Sequence, residues 1–216
     1  MIRKINNMEI YQLQVIRSLL VCDKLVHIYS NKNIYGGCHK KMESSIKEKL
    51  NDILHFDEPL ARHCMETALY TKRFMKFLGY DNDMINLAYN AALVHDIGKT
   101  VINKDLLYKT SKLTNDEKQM IDAHTINATN LLNDENEFIQ YVAIHHHDNY
   151  KDIDEVTQII AVCDTYSALI TERSYKPAYA AIEAISIMKN DNRNENLNPI
   201  FVAAFEIMLR QFGYIM

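Results

Sequence analysis

The sequence predicts an all-α fold, a helical bundle preceded by a helical hairpin, on three observations. Apolar residues recur at three- and four-residue spacing through most of the 216 positions. The breaks between these stretches are short and polar. Only 5 Gly and 3 Pro are available, too few for the turns of a hairpin-rich or barrel fold. At 48% apolar and 24% charged residues the chain can bury a proper core without staples.

From Met8 to about Ile28 the stretch EIYQLQVIRSLLVCDKLVHIY has helical periodicity, and SNKNIYGG after it suits a turn. A second amphipathic helix runs from about Lys41 to Leu54. Residues 1–54 carry no cluster of acids and histidines, so they read as an N-terminal hairpin or cap, and its apolar faces are a candidate homodimer contact. Residues 55–216 then read as one helical domain. Its helices are expected at 59–78, ended by Gly79, and at 83–96, ended by Gly98, which lets the chain leave the helix. Another spans 114–133, opened by Thr114 with Glu117 three residues on as a capping box. The rest lie at 136–147, 154–171, 178–190 and 198–213. The Asn/Asp-rich NDNRNENLN near residue 190 reads as a solvated loop.

A formal charge of −4 argues against a nucleic-acid polymer as partner and leaves room for a small anionic ligand. Cys22, Cys38, Cys64 and Cys163 form no CxxC pair, and no signal-like apolar N-terminus is present, so a reduced cytoplasmic setting is expected. No apolar run reaches the ~20 residues of a membrane helix, so no membrane partner is expected.

The chemistry-bearing residues sit on these helices. In LVHDIGKT, His95 and Asp96 end an apolar helix and are delivered together at its C-terminus, about 100° apart around the axis, with Lys99 three residues after the acid. In TQIIAVCDTYSALI, Asp164 has apolar neighbours nearly all round, and a carboxylate there needs a cation or a paired group such as Arg173. His63 lies in LARHCMETALYTKRF, His124 in DEKQMIDAHTINATNLL, and HHHDNYKD places three imidazoles at 145–147. Singly, each histidine is more often a core or surface residue than a ligand. Spread over successive helices, the set is how a helical protein surrounds a metal ion. Neutral imidazoles and carboxylates suit Fe, Mn, Zn, Ni or Co, and six or more donors could hold two ions bridged by one acid.

The order His63, His95-Asp96 with Gly98-Lys99, His124, a His pair, then Asp164 and Arg173-Ser-Tyr-Lys176 resembles the HD superfamily of metal-dependent phosphohydrolases. Within it, the chain resembles the HD-GYP branch, associated with hydrolysis of cyclic di-GMP and related cyclic dinucleotides. The resemblance covers about residues 55–210 and includes AALVHDIGK, DLLYKTSKLTNDEKQMIDAH, IIAVCDTYSAL and ERSYKPA.

It implies metal ligands at His63, His95, Asp96, His124, His146, His147 and Asp164, with Asp96 as the bridging and catalytic carboxylate. It also implies two divalent transition-metal ions, Fe or Mn favoured and Zn, Ni or Co open. Lys99, Arg173 and Lys176 would contact the phosphate, which fits the fork of Arg and the mobile charge of Lys. One departure is large. Where the family reads HHE, two residues, DG, one residue and GYP, this chain reads HHDNYKDIDEVTQ, so the GYP loop is missing. Aligning His146-His147-Asp148 with HHE leaves His145 outside the set.

The implied reaction is hydrolysis of a phosphodiester, most readily a cyclic dinucleotide, by a hydroxide activated between two metals ~3.5–4 Å apart. Asp148 or a metal-held water is a candidate acid for the leaving group. A second reading is a sensor or scaffold of weak or absent catalysis, or a phosphohydrolase of another nucleotide.

Overall fold

The computed structural model describes residues 39–172, 177–190 and 196–215. Ten α-helices cover them: α1 (His39–Phe56), α2 (Glu58–Leu78), α3 (Asn82–Val94), α4 (Lys104–Leu107), α5 (Asn115–Asp122), α6 (His124–Leu131), α7 (Glu137–His145), α8 (Glu155–Ile170), α9 (Ala181–Asn190) and α10 (Pro199–Gln211), with a 3₁₀ turn over Ile97–Val101. No strand occurs among the described residues, as the composition predicts.

Most helices begin where the sequence supplies a side-chain acceptor for an orphaned N–H. Asp57 accepts from Leu60, Asp81 from Met84, Asn136 from Phe138, Asp154 from Val156 and Thr157, and Asn198 from Ile200, with Pro199 just inside α10. Thr114 and Glu117 form the expected capping box of α5. Gly79 ends α2 at φ 85°, returning its N–H to the Met75 and Lys76 carbonyls.

The long helix α2 packs against α1, α3, α8 and α10, and α3 in turn packs on α1 and α7. Phe74 of α2, Tyr166 of α8 and Phe205 of α10 meet edge to face, with ring centroids 5.0 Å apart for both Phe74–Phe205 and Tyr166–Phe205. Burying each such ring is worth about 1.5–3 kcal/mol. Phe74 stands eleven residues beyond His63, so about 16 Å of α2 separates this knot from the histidine. The knot fixes how α2 lies on α8. Ile46 and Ile53 of α1 are buried in the same core, so the second helix of the sequence-predicted hairpin packs with the helices that follow. The first, 8–28, and with it the expected dimer face, lies outside the described residues.

Three details differ from the periodicity. The helix expected at 83–96 stops at Val94, and Asp96 takes φ −99°, ψ 12°, in the bridge region. Ile97–Val101 and Lys104–Leu107 are single turns, too short to carry a period. The helix expected at 114–133 is two helices, broken at Ala123 so that His124 opens α6. The break is tied to Gly98, though not through backbone freedom: the positive-φ glycines among the described residues are Gly79 and Gly213. Gly98 is needed for space, because a Cβ there would stand 1.9 Å from the His124 carbonyl oxygen and 2.9 Å from the Ala128 nitrogen. The 3₁₀ turn and α6 therefore touch backbone to backbone.

Gly98→Ala should destabilise the protein by about 1–3 kcal/mol in urea unfolding, the cost of overpacking a tight contact. Were the contact absent, the same change would stabilise by up to about 1 kcal/mol through the unfolded chain, so the sign is decisive.

Candidate metal centre

Five elements bring the expected residues to one place. His63 comes from the second turn of α2, His95 caps α3, Asp96 follows it, His124 opens α6, His146 caps α7, and Asp164 lies midway along α8. All six are buried.

Asp96 stands at the centre, and its two oxygens face different partners. Oδ1 lies 3.3 Å from His124 Nε2 and 3.8 Å from His146 Nε2. Oδ2 lies 3.5 Å from His95 Nε2, 3.7 Å from His63 Nε2 and 2.5 Å from Lys99 Nζ. Asp164 Oδ1 closes the other side, 2.8 Å from His63 Nε2 and 3.4 Å from His95 Nε2. Donor atoms within 4.8 Å of one another form three overlapping sets: Asp96, His124, His146 and His147; His63, His95 and Asp96; and His95, His146 and Asp164. A carboxylate shared between two donor sets is the geometry a bridging ligand requires.

The helix ends explain how the imidazoles are aimed. His95 Nδ1 is 2.8 Å from the Ala92 carbonyl, His124 Nδ1 2.8 Å from that of Ile121, and His146 Nδ1 3.1 Å from those of Val142 and Ala143. These carbonyls belong to the last turns of α3, α5 and α7, where a helix runs short of backbone donors. A carbonyl only accepts, so each Nδ1 carries a hydrogen and each Nε2 is turned inward. The same three C-termini bring the negative ends of helix dipoles to the cluster, which favours a cation there.

Charge is balanced locally. Burial alone would raise Asp96, but Lys99 and then His95, His124 and His146 hold it well below the usual carboxylate range. Asp164 is likewise lowered against its burial, by His63 and then His95 beside it. His95 is held well above the ordinary imidazole range, its burial outweighed by Asp96, Cys64 and Asp164. Burial lowers His124 to about 4 despite Asp96, and burial with His147 and His95 nearby lowers His146.

The donor set fits a metal on an observation independent of any resemblance. The Nε2 atoms of His95, His124 and His146 and Oδ1 of Asp96 are buried without a hydrogen-bond partner. Four such atoms converging on one another would cost several kcal/mol unless a cation takes their lone pairs. The neutral nitrogen and carboxylate donors suit a first-row transition ion.

Of the triple histidine, His146 is sealed in the cluster and His147 joins it from an exposed position, their rings 4.0 Å apart. His145 turns away, its Nδ1 2.6 Å from Asp148 Oδ2 and its ring against Tyr141. Asp148, the candidate acid, is thereby engaged with His145 and belongs to none of the donor sets. Lys99, partly exposed, pairs with Asp96, while Arg173 and Lys176 lie outside the described residues. The short link from Asp148 to α8 is stitched in place: Tyr150 N–H donates to the Asn196 carbonyl, Asn196 Nδ2 to the His147 carbonyl, and Gln158 Nε2 to the Tyr150 and Ile153 carbonyls. Sequence reasoning passed over Ser167, whose Oγ lies 3.1 Å from His63 Nδ1. The available signal was its place three residues after Asp164, on the same helix face.

The chain is similar in sequence and in fold to several known proteins. The chain is 31% identical over 126 residues to the cyclic di-GMP phosphodiesterase response regulator RpfG of Xanthomonas campestris pv. campestris, an alignment covering 51% of this chain and 33% of that protein. It is 31% identical over 160 residues to the 3'3'-cGAMP-specific phosphodiesterase 3 of Vibrio cholerae, covering 68% and 34%. The chain thus spans about a third of the length of these relatives. Bd1817, an HDG"Y"P protein from Bdellovibrio bacteriovorus, shares the fold with a TM-score of 0.61 at 13% identity, over 93% of this chain and 69% of that one. The HD domain of the Listeria phosphodiesterase PgpH does so with a TM-score of 0.55 at 16% identity, over 76% and 96%. Residues 47–199 match the family described as the HD domain, and the chain belongs to that family.

Proposed function

We propose that this chain is a metal-dependent phosphodiesterase of cyclic dinucleotides, with cyclic di-GMP or 3'3'-cGAMP as substrate. The observation that carries the reading is the convergence of buried, partnerless lone pairs at His95, His124, His146 and Asp96. Relatives named for these two substrates support the substrate class. His63, His95, Asp96, His124, His146, His147 and Asp164 would hold two divalent ions, Fe or Mn in preference. When bound, such ions supply an activated water and neutralise phosphate charge.

The chain's own residues set the geometry for that chemistry. Asp96 divides its oxygens between two donor sets and so fixes their separation. The helix-end carbonyls accept from the Nδ1 atoms of His95, His124 and His146 and so turn their Nε2 atoms inward. Lys99, paired with Asp96, orients a non-bridging phosphate oxygen, and Arg173 and Lys176, which follow α8 in the chain, are proposed to do the same. The short link at 148–154 stands where the HD-GYP branch carries its longer loop, and His147 beside it is the exposed member of the donor set.

After anaerobic loading with Fe(II) or Mn(II), elemental analysis should find about two ions per chain, and the protein should open cyclic di-GMP or 3'3'-cGAMP to a linear dinucleotide. Asp96→Asn should lose turnover by more than ~100-fold, since changes one shell further out alone reach that size. A metal-free chain would sink the metal centre. A loaded chain that leaves both substrates intact would sink the substrate class and favour a sensor.

Metal-free protein should be most stable near pH 6.5. Below it, His124 and His146 have folded values under 6.5, so the unfolded chain takes up two protons first and stability falls as pH drops. Glu155, raised by burial to about 7, opposes them from 4.5 upward, leaving a net of roughly one proton. Above 6.5, raised His95 and Glu155 reverse the sign, and stability falls as pH rises. Melting temperatures at pH 5, 6.5 and 8 test this, and a value at pH 5 equal to or above that at 6.5 would refute it.

A further inference from the structure

His63 is held differently from the other buried imidazoles. His95, His124 and His146 each donate from Nδ1 to a backbone carbonyl, which settles their tautomer. His63 lies early in α2 and instead meets the Ser167 hydroxyl of α8, 3.1 Å from Nδ1. A hydroxyl can donate or accept. Ser167 alone therefore leaves two arrangements open: Nε2–H directed at Asp164 with the hydroxyl donating to Nδ1, or Nδ1–H directed at the hydroxyl with Nε2 free.

Glu66 separates the two. It lies one turn beyond His63 on α2, with Oε2 3.5 Å from Ser167 Oγ and 2.9 Å from Thr171 Oγ1. A carboxylate can only accept. It draws the Ser167 hydrogen toward itself and turns the hydroxyl lone pair to Nδ1. We propose that Glu66 is a positioning residue which, through Ser167, sets His63 in the tautomer that offers Nε2 to a cation. The inference rests on the metal-centre reading above. Without a cation, Nε2 stands 2.8 Å from Asp164 Oδ1 and can donate to it; when a cation takes the Nε2 lone pair, that hydrogen leaves to water and Nδ1 takes one from water, which the Ser167 oxygen is turned to accept. The ring stays neutral and the hydroxyl hydrogen faces Glu66. The arrangement forms a carboxylate–hydroxyl–imidazole chain that ties the cluster to both α2 and α8, where the other three rings rely on their own local backbone.

Co(II) titration of the full chain tests this, with Glu66→Gln, Ser167→Ala and Thr171→Val beside the parent. Gln keeps the size but can donate to Ser167, and Ala removes the hydroxyl. Both should weaken one Co(II) site roughly 10-fold and leave the other unchanged, with the metal-free melting temperature held. Thr171→Val keeps the Glu66–Ser167 contact and should bind as the parent does. Proton NMR of the Co(II) form adds a signature that a merely structural role would not move: one hyperfine-shifted, solvent-exchangeable imidazole N–H should broaden or vanish in Glu66→Gln while those of the other rings persist. Parent-like affinity and spectrum in Glu66→Gln and Ser167→Ala would overturn the inference, as would an affinity loss that tracks a lower metal-free melting temperature in both. A parent chain that binds no Co(II) would instead overturn the metal centre itself.

Discussion

Two ionised carboxylates held out of water set the terms for the rest of this structure. Asp96 and Asp164 are both buried, and an unpaired ion in such a place costs several kcal/mol even after the protein relaxes. The fold answers with four buried imidazoles, the Lys99 ammonium and a proton retained on His95. Those groups must come from separate helices, because one helix cannot surround a point. The packing of α2 on α8, the crossing of α3 and α7, and the break before α6 can all be understood as what it takes to bring these groups within 4 Å of Asp96. The aromatic knot of Phe74, Tyr166 and Phe205 supplies hydrophobic stability at a distance, so the polar cluster need not hold the bundle together by itself.

That division of labour explains what could be read in advance. His95, Asp96 and Asp164 were legible because each interrupts or ends an apolar stretch, where a charged or titratable group needs a reason. The helices around them were legible from period and caps. His124 was legible as a residue but not as a helix start, because the break before it depends on the approach of Gly98, a contact across 26 positions that no local pattern encodes. Gly98 itself looked like a residue chosen for backbone freedom and proves to be chosen for want of a side chain. Ser167 offered only its place three residues after Asp164, and Glu66 gave no signal, since a glutamate one turn from a histidine is ordinary in any sequence. Arg173 and Lys176 rest on resemblance and on the suitability of their charges for phosphate.

The link between His147 and α8 shows how a site can change at its edge while its centre stays put. Asn196 and Gln158 stitch this short segment to the chain before α10 and to the start of α8. None of residues 148–154 belongs to the donor sets.

The use of helix-end carbonyls to orient His95, His124 and His146 has a consequence for how this protein can vary. Those three anchors are made of peptide groups, so replacing neighbouring side chains cannot delete them, and a side-chain scan around these histidines would return silence where the geometry is in fact dictated. Gly98 apart, which must lack a side chain to admit the His124 backbone, the residues beside these three rings can change without removing the anchor. Around His63 the anchor is written in side chains, so a single substitution at Ser167 or Glu66 can retune that ring while leaving every donor atom in place.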